Sequence, residues 1–235
     1  MRSYTAFFAL LVSLSPLCAR ADAYPHIPEP MVFDMVRPLG ASRGELEVNT
    51  LAQRNLSGRH DAVEWAPEIE IAFAQGMAIE FELPIENRTI TDYKMGLQGT
   101  LGTFNGGRGV HGIQYLGLYN RESRRWENTA LYLIGHRFGE RFSTMSMVGI
   151  GDVTIDGDEG SNFIFNHTTF YDASETTTLG LEFNLRTGAD RYALLMPQIH
   201  QKLAEGLNVQ AGVGAVKADG EVWRPRAGLR LIKEF

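Results

Sequence analysis

Regular alternation of apolar and acidic residues over residues 63–86 is the sequence feature that most limits the fold. Apolar side chains and glutamates occupy alternate positions in residues 63–73, and residues 77–86 repeat the pattern after the turn Ala74-Gln75-Gly76. Successive side chains of a β-strand point to opposite faces, whereas a helix would scatter the glutamates around its axis. We therefore predict a β-hairpin with one apolar face and one acidic face. The glutamates on the acidic face are Glu64, Glu68, Glu70, Glu80, Glu82 and Glu86.

Alternation of this kind, interrupted by turn residues, continues to the C-terminus and predicts twelve strands. Ten or fourteen strands are also compatible with the pattern, because the less regular segments can merge or split. Residues 45–235 provide about 16 residues for each strand and its connection, which suits membrane-spanning strands of roughly 9–11 residues. The predicted strands are residues 45–53, 62–73, 77–86, 90–103, 109–120, 125–138, 141–152, 162–172, 176–186, 191–203, 207–216 and 222–235.

The polar faces of these strands favour a membrane barrel over a soluble sandwich or barrel. They combine small and hydrogen-bonding residues with charges of both signs, which suits a wet interior. Trp65, Tyr93, Trp126 and Trp223 fall near strand ends, where aromatic girdles lie in membrane barrels. We therefore predict an all-β fold, a single antiparallel transmembrane β-barrel of about twelve strands. Four prolines inside predicted strands must then lie at a rim or a bulge, or the boundaries are wrong: Pro67, Pro84, Pro197 and Pro225.

The N-terminal residues divide into two further segments. A positive charge at Arg2, an apolar run and the small residues around Ala21 predict a secretory signal peptide over residues 1–21. Residues 22–44 contain four prolines and form a predicted N-terminal extension before the barrel at residues 45–235. The apolar residues 31–33 of this extension either dock at the barrel mouth or belong to a disordered arm.

The final ten residues, 226–235, end on Phe235 after apolar residues at alternating positions. This pattern resembles the C-terminal strand of bacterial outer-membrane β-barrel proteins, and the resemblance implies that Phe235 belongs to the signal read by the barrel-assembly machinery. Lys233 departs from the family pattern, which favours an apolar or aromatic residue there. The resemblance also implies a location in the outer membrane of a Gram-negative bacterium, with outer-membrane lipids and lipopolysaccharide as neighbours.

A finer resemblance rests on residues 195–200, Leu-Met-Pro-Gln-Ile-His, and on residues 230–235, Arg-Leu-Ile-Lys-Glu-Phe. In these two stretches the chain looks like the transporter barrels associated with phenol meta-pathway degradation. That likeness implies an outer-membrane protein with a transport role.

Charges of opposite sign are predicted to meet where the barrel closes. Arg224, Arg226 and Arg230 lie on the last strand, which pairs with the first strand beside the glutamate hairpin. These residues either form an internal ion-pair network that fills a narrow barrel, or line a polar channel with a transverse field. We predict a channel or transporter for small solutes with a Glu/Arg-lined lumen. The alternatives are a non-conducting structural or lipid-interacting barrel, a membrane-embedded hydrolase and a soluble periplasmic ligand-binding barrel.

Oxygen ligands are concentrated in one predicted loop, at Asp152, Asp156, Asp158 and Glu159. Such ligands suit Ca²⁺ or Mg²⁺, although the spacing departs from the EF-hand loop because Gly160 stands where a ligand belongs. A divalent ion bridging to lipopolysaccharide phosphates is one interpretation, and a solvated acidic loop is the simpler one. No metal site is predicted firmly.

The remaining sequence predicts neither an enzyme nor a cofactor-binding protein. The six histidines are dispersed without metal-ligand spacing, and the sequence contains no Ser-His-acid motif and no nucleotide-binding glycine loop. The 28 acidic residues against 22 basic ones also argue against nucleic-acid binding, which needs clustered Lys and Arg. A small-molecule solute is the expected ligand.

Overall fold

The computed structural model describes residues 24–33, 35–58, 62–153, 162–188 and 191–235, which form one closed antiparallel sheet. Each strand pairs with its neighbour along the chain, and the last strand returns to pair with the first, from Glu47 opposite Glu234 to Asn55 opposite Arg226. The predicted signal peptide lies outside the described residues. The strands are β1 Leu46–Asn55, β2 Val63–Ala74, β3 Met77–Glu82, β4 Ile85–Glu86, β5 Thr89–Ile90, β6 Asp92–Phe104, β7 Gly109–Asn120, β8 Arg125–Arg137, β9 Phe142–Gly151, β10 Asn162–Asp172, β11 Thr177–Arg186, β12 Tyr192–Ala204, β13 Leu207–Ala218 and β14 Arg224–Glu234.

These segments make a barrel of twelve strands, because two pairs of them are parts of one strand each. β3 and β4 both pair with β2, and they are separated at Leu83 and Pro84. β5 pairs with β4, and β6 pairs with β3. The twelve-strand prediction is therefore confirmed, although the predicted strand 77–86 is interrupted. Within the described residues, no helix is long and apolar enough to cross a membrane.

The four prolines lie where the ladder of hydrogen bonds is already interrupted. The carbonyl of Pro67 accepts a hydrogen bond from the amide of Leu83 at 3.0 Å. Because the N–H and C=O positions of one strand residue point to the same neighbouring strand, the missing N–H of Pro67 faces the interruption at Pro84. At Pro197 the β12–β13 pairing skips from Leu195 to Gln198. Pro225 lies at the rim, beside the end of β1. The requirement that each proline sit at a rim or an irregularity is met.

The two faces of the barrel wall differ in polarity as the alternation predicts. On β3, Phe81 is 51% exposed whereas Glu80 is completely buried, and the same contrast separates Leu229 from Arg230 on β14. The apolar set therefore covers the outer surface, as in a barrel surrounded by lipid, and many charged residues point inward. A soluble barrel with the apolar set inside would require the opposite arrangement.

The described residues before β1 lie inside the barrel. We call residues 24–33 and 35–45 the inner segment. Its apolar side chains at Ile27, Met31, Phe33, Met35 and Leu39 are each no more than 6% exposed. The segment therefore docks well inside the barrel, deeper than the mouth, which is one of the two alternatives that the sequence leaves for residues 31–33.

A charged and an apolar wall around the inner segment

The inner segment enters and leaves the barrel at the same end, where β1 begins and β14 ends. We call this the terminal end, and the opposite one the loop end. Tyr24 packs on Gly40, where a Cβ would lie 2.5 Å from the ring. The φ of +92° at Gly40 is also a backbone conformation that residues with side chains rarely adopt. Residues 31–33 and Met35 line a cavity of about 360 Å³ with residues near the loop end of β2 and β4, among them Trp65 and Ile85. The inner segment therefore forms a loop inside the barrel. Its apex, residues 31–33, lies between the terminal end and the loop end.

The apex is held by one buried carboxylate of β11. Glu182 is completely buried and accepts hydrogen bonds from the backbone amides of Met31, Val32 and Phe33 at 3.2, 3.1 and 2.7 Å. The side-chain amides of Asn184 and Gln198 also donate to it, at 2.7 and 3.0 Å. Five donors thus compensate the cost of burying this carboxyl group.

Polar wall residues also bind the part of the segment that descends from the apex. The amide of Val36 donates to Gln114 at 3.2 Å, and Gln98 donates to the Arg37 carbonyl at 2.6 Å. The amide of Gly40 donates to Thr100 at 2.8 Å. Backbone groups that regular secondary structure would otherwise satisfy are therefore satisfied by the barrel wall.

The side facing β1, β2, β3, β6 and β14 is a charged wall centred on Arg230. The guanidinium of Arg230 lies 2.5 Å from Glu29 of the inner segment, 2.8 Å from Glu68 and 3.4 Å from Glu70. Its Nε donates to Asn49 at 3.0 Å. Arg230 of β14 thus contacts two glutamates of β2 beside the seam, together with Glu29 of the inner segment.

Two more cations complete the charged wall. Arg37 of the inner segment pairs with Glu45 at 3.0 Å and with Glu47, and lies 3.6 Å from Glu70. Lys94 of β6 pairs with Glu80 at 3.0 Å and with Glu82. The wall and the segment together bury six carboxylates against three cations. These buried residues are Glu29, Glu47, Glu68, Glu70, Glu80 and Glu82, with Arg37, Lys94 and Arg230.

Two ionisable groups of the inner segment have shifted pKa values. Burial raises the pKa of Glu29 to about 7, despite the opposing effect of Arg230. Burial lowers the pKa of Arg37, but the surrounding carboxylates, Glu47 foremost, outweigh burial and raise that pKa above its ordinary value. The segment therefore contributes a cation that stays charged and a carboxyl group that takes up a proton near neutral pH.

The opposite side of the interior is an apolar wall. Phe33, Met35 and Leu39 of the inner segment pack there against side chains of β7 to β10, and Met31 packs against β12. The wall residues are Val110, Leu131, Leu133, Met145, Met147, Ile164 and Phe170, with Leu194 and Met196 in the second group. The segment thus turns charged groups to one wall and apolar groups to the other.

Glycines give the segment room at its closest approach to the wall. A Cβ at Gly96 would lie 2.6 Å from Val36 Cγ2, and a Cβ at Gly212 or Gly228 would lie 2.8 or 3.0 Å from Met31 Cε. The contact at Gly96 is one that real Cβ atoms essentially never show, so the fit there depends on glycine, whereas the flexible end of Met31 can shift to make room at Gly212 and Gly228.

The other predicted charged residues lie nearer the loop end. Glu64 pairs with Arg226, which also contacts Gln53 and Asn55. Arg224 instead pairs with Glu221 at 3.0 Å. Glu86 is exposed opposite Glu64. Sequence reasoning did not identify Glu29, Arg37 or Glu182 as site residues. Glu29 and Arg37 lie in a segment without periodicity, and Glu182 is a single acid on the polar face of its strand.

Two predicted sites fall partly or wholly outside this interior. Asp152 accepts a hydrogen bond from Asn162 and lies 3.8 Å from Arg186, whereas Asp156, Asp158 and Glu159 lie outside the described residues. Phe235 is 73% exposed, and its amide donates to Leu46 at 2.9 Å beside the start of β1. The ammonium of Lys233 lies 5.4 Å from its ring.

Two cavities lie on either side of the contact between Glu29 and Arg230. One of about 690 Å³ opens toward the terminal end and is lined by Glu29, His200 and Gln210 among others. The cavity of about 360 Å³ toward the loop end is lined by Arg230 and Met31 among others. The ion pair and the apex of the segment therefore separate the two cavities.

Solved structures of bacterial outer-membrane channels share this fold. The KdgM porin superposes with a TM-score of 0.63 at 8% identity, covering 80% of this chain and 99% of its own. The COG4313 outer membrane channel from Pseudomonas putida F1 gives a TM-score of 0.62 at 12% identity, covering 86% and 100%. A KdgM porin in complex with disordered oligogalacturonate gives a TM-score of 0.60 at 9% identity, covering 81% of this chain and 99% of its own.

These likenesses confirm the predicted fold of an outer-membrane β-barrel, and the apolar outer surface agrees with the predicted location. The structures named are channels or porins and not enzymes, which is consistent with the prediction of a non-enzyme. A scan against protein-family models found no match, and neither did a search of curated proteins. The resemblance to phenol meta-pathway transporters stays a prediction.

Proposed function

We propose that this chain is an outer-membrane channel for small solutes whose Glu/Arg-lined lumen is closed by the inner segment. The observation that carries the proposal is the pair of cavities separated by the Glu29–Arg230 contact. A solute that enters one cavity must displace the inner segment to reach the other. Outward movement of the segment toward the terminal end joins the two cavities into one path.

The attachment of the segment supports a reversible closure. Its contacts with the wall are hydrogen bonds, ion pairs and apolar packing. Both of its ends lie at the terminal end, which faces the periplasm in barrels of this class because short turns and chain termini lie there. We further propose that outer-membrane lipids surround the barrel, that lipopolysaccharide contacts the loop end, and that the assembly machinery binds Phe235.

Conductance in planar bilayers tests the proposal. Replacing Glu182 by alanine removes the acceptor of three apex amides, so we expect the segment to detach more often and the current to rise well above that of the wild type. The matched control is Glu122→Ala, a change at an exposed residue of the loop between β7 and β8. It should leave the current unchanged.

The alternative is a structural barrel that never conducts, and the dense network around the segment favours this second candidate. The same experiment separates the two. If Glu182→Ala still migrates as a folded barrel in unheated gel samples but carries no more current than Glu122→Ala, the channel proposal fails and the structural barrel takes its place.

A further inference from the structure

We infer that the charged wall binds an amphipathic cation, a small molecule with a guanidinium or amine group on an apolar body, and that Arg37 occupies this site as an internal stand-in while the channel is closed. The inference rests on the proposed function, because it assumes that the inner segment leaves the lumen. It adds the chemical class of the solute.

Arg37 shows how the charged wall receives a guanidinium. Its terminal nitrogens reach two carboxylates of the charged wall, those of Glu47 and Glu70, and the carboxylate of Glu45 at the end of the inner segment itself. Glu47 is 2% exposed and Glu70 is completely buried, so these groups form a desolvated site. A planar cation with several N–H donors matches such a set of carboxylates better than a compact ion does.

Two buried acceptors at this site still lack a hydrogen-bond donor. Within the part of the chain that the structure describes, neither Oε2 of Glu70 nor Oε1 of Gln98 accepts a hydrogen bond. Gln98 contacts the Arg37 carbonyl through its Nε2, and Arg37 Nη1 lies 3.6 Å from Glu70 Oε2. The site therefore offers acceptors that Arg37 does not reach, and among the described residues the buried Nε of Arg37 has no acceptor either. A ligand with further N–H groups satisfies them.

The charge balance of the vacated lumen selects the sign of the solute. The departing segment takes Glu29 and Arg37 with it. The charged wall then retains five buried carboxylates against Arg230 and Lys94. Buried carboxylates without a counterion are unfavourable, so a cation that enters from either cavity is stabilised and an anion is repelled.

The opposite wall selects the apolar body. Leu39 lies two residues from Arg37, and it packs in the cluster that contains Val110 and Leu133. Any molecule that replaces this part of the segment therefore meets carboxylates on one side and aliphatic side chains on the other. An inorganic cation neutralises carboxylates of the charged wall but leaves the apolar wall in contact with water, which is unfavourable for apolar surface.

Thiol labelling of the full chain tests the inference. Val36 is completely buried beside Arg37. In a Cys18→Ser background, the thiol of Val36→Cys therefore becomes accessible to a labelling reagent only when the inner segment leaves the lumen. Phenylguanidinium is the amphipathic cation, with benzoate and benzyl alcohol as anionic and neutral partners of similar size, all at equal ionic strength. We expect phenylguanidinium to raise the rate of labelling by an impermeant maleimide about tenfold, because it competes with Arg37 for the charged wall. Arg43→Cys, at an exposed position of the same segment, should label equally fast in all three.

Neutralising the site distinguishes a ligand site from a purely structural ion pair. Adding Glu47→Gln and Glu70→Gln to the reporter should raise the basal labelling, since Arg37 loses two partners, and should abolish the response to phenylguanidinium. An equal response to benzoate or benzyl alcohol, a response that survives the double change, or no response in the chain with intact glutamates overturns the inference.

The conductance experiment separates this failure from failure of the channel itself. Current through Glu182→Ala with labelling that is indifferent to phenylguanidinium keeps the channel and removes the cation site. A folded Glu182→Ala barrel without current removes the channel, whatever the labelling shows.

Discussion

The charged wall and the apolar wall face each other across one barrel, yet they differ in how visible they are in the sequence. On β2 and β3 the inward residues are glutamates and the outward ones are apolar, so the strands alternate clearly. On β8 and β9 the inward residues include Leu131, Leu133, Met145 and Met147, and the outward residues are largely apolar as well. Alternation fades there because an apolar part of the inner segment covers the inner face. Loss of alternation in a membrane strand can therefore mark where a plug packs.

The largest effect is expected from the centre of the charged wall. Arg230→Met removes the cation shared by Glu29, Glu68 and Glu70 and leaves them buried with too little countercharge. We expect the free energy of unfolding to fall by about 3–5 kcal/mol. Urea titration of the barrel in lipid vesicles, followed by tryptophan fluorescence, measures the change. A loss below that of a surface mutation such as Glu175→Ala would show that the charged wall contributes little to stability.

A substitution on the apolar wall should lower the free energy of unfolding by nearly as much, through lost packing and not through lost countercharge. Leu133 is completely buried against the cluster that holds Phe33 and Leu39. Leu133→Ala removes those contacts and leaves a cavity, at about 2–5 kcal/mol. The same titration at two pH values sharpens the comparison. The loss for Leu133→Ala should not depend on pH, and a loss that does would mean that the two walls are coupled.

Glu29 makes the stability of the charged wall depend on pH. Its pKa rises from 4.5 to about 7 on folding, so the folded state binds more protons than the unfolded state between these values. Stability therefore decreases as the pH rises through this window, by up to about 3 kcal/mol in total. Glu29→Gln should flatten this part of the profile, whereas Glu175→Gln, at an exposed turn, should not. Parallel profiles for wild type and Glu29→Gln would contradict the burial of this carboxyl group.

A smaller effect should follow from crowding the segment on the charged wall. A Cβ at Gly96 meets Val36 and the side chain of Glu80, whereas a Cβ at Gly99 of the same strand meets no heavy atom within 4 Å. Gly96→Ala should lower stability by about 1–3 kcal/mol and raise the current by loosening the segment. Gly99→Ala is the matched control. Equal behaviour of the two variants in urea and in bilayers would show that the segment does not press on the wall at Gly96.

The smallest effect on stability is expected at the C-terminus, outside both walls. The ring of Phe235 is largely exposed, so Phe235→Ala should change the free energy of unfolding by less than about 0.5 kcal/mol. If Phe235 belongs to the assembly signal, the amount of folded barrel in the outer membrane should nevertheless fall severalfold. Quantifying heat-modifiable protein in membrane fractions checks this. An unchanged yield would remove Phe235 from the assembly signal.

Much of the barrel could be predicted from local patterns. Strand boundaries agree with the structure to within a few residues, except where the predicted strand 77–86 is interrupted at Leu83 and Pro84. The position of Glu70 and Glu80 on the polar face followed from alternation alone. Arg37 and Glu29 could not be identified as site residues, because the extension has no regular period that relates one side chain to the next.

The amino-acid sequence by itself determined which side of each strand is polar, because a pleated strand alternates its faces whatever lies around it. It thereby determined an all-β barrel and the acidic side of its hairpin. The tertiary structure alone decided that the inner segment lies in the lumen, with Arg37 on one wall and Phe33 on the other. These contacts join residues as far apart as Glu29 and Arg230. Burial and charge across the closed barrel determine such contacts, and the local sequence pattern around either residue does not predict them.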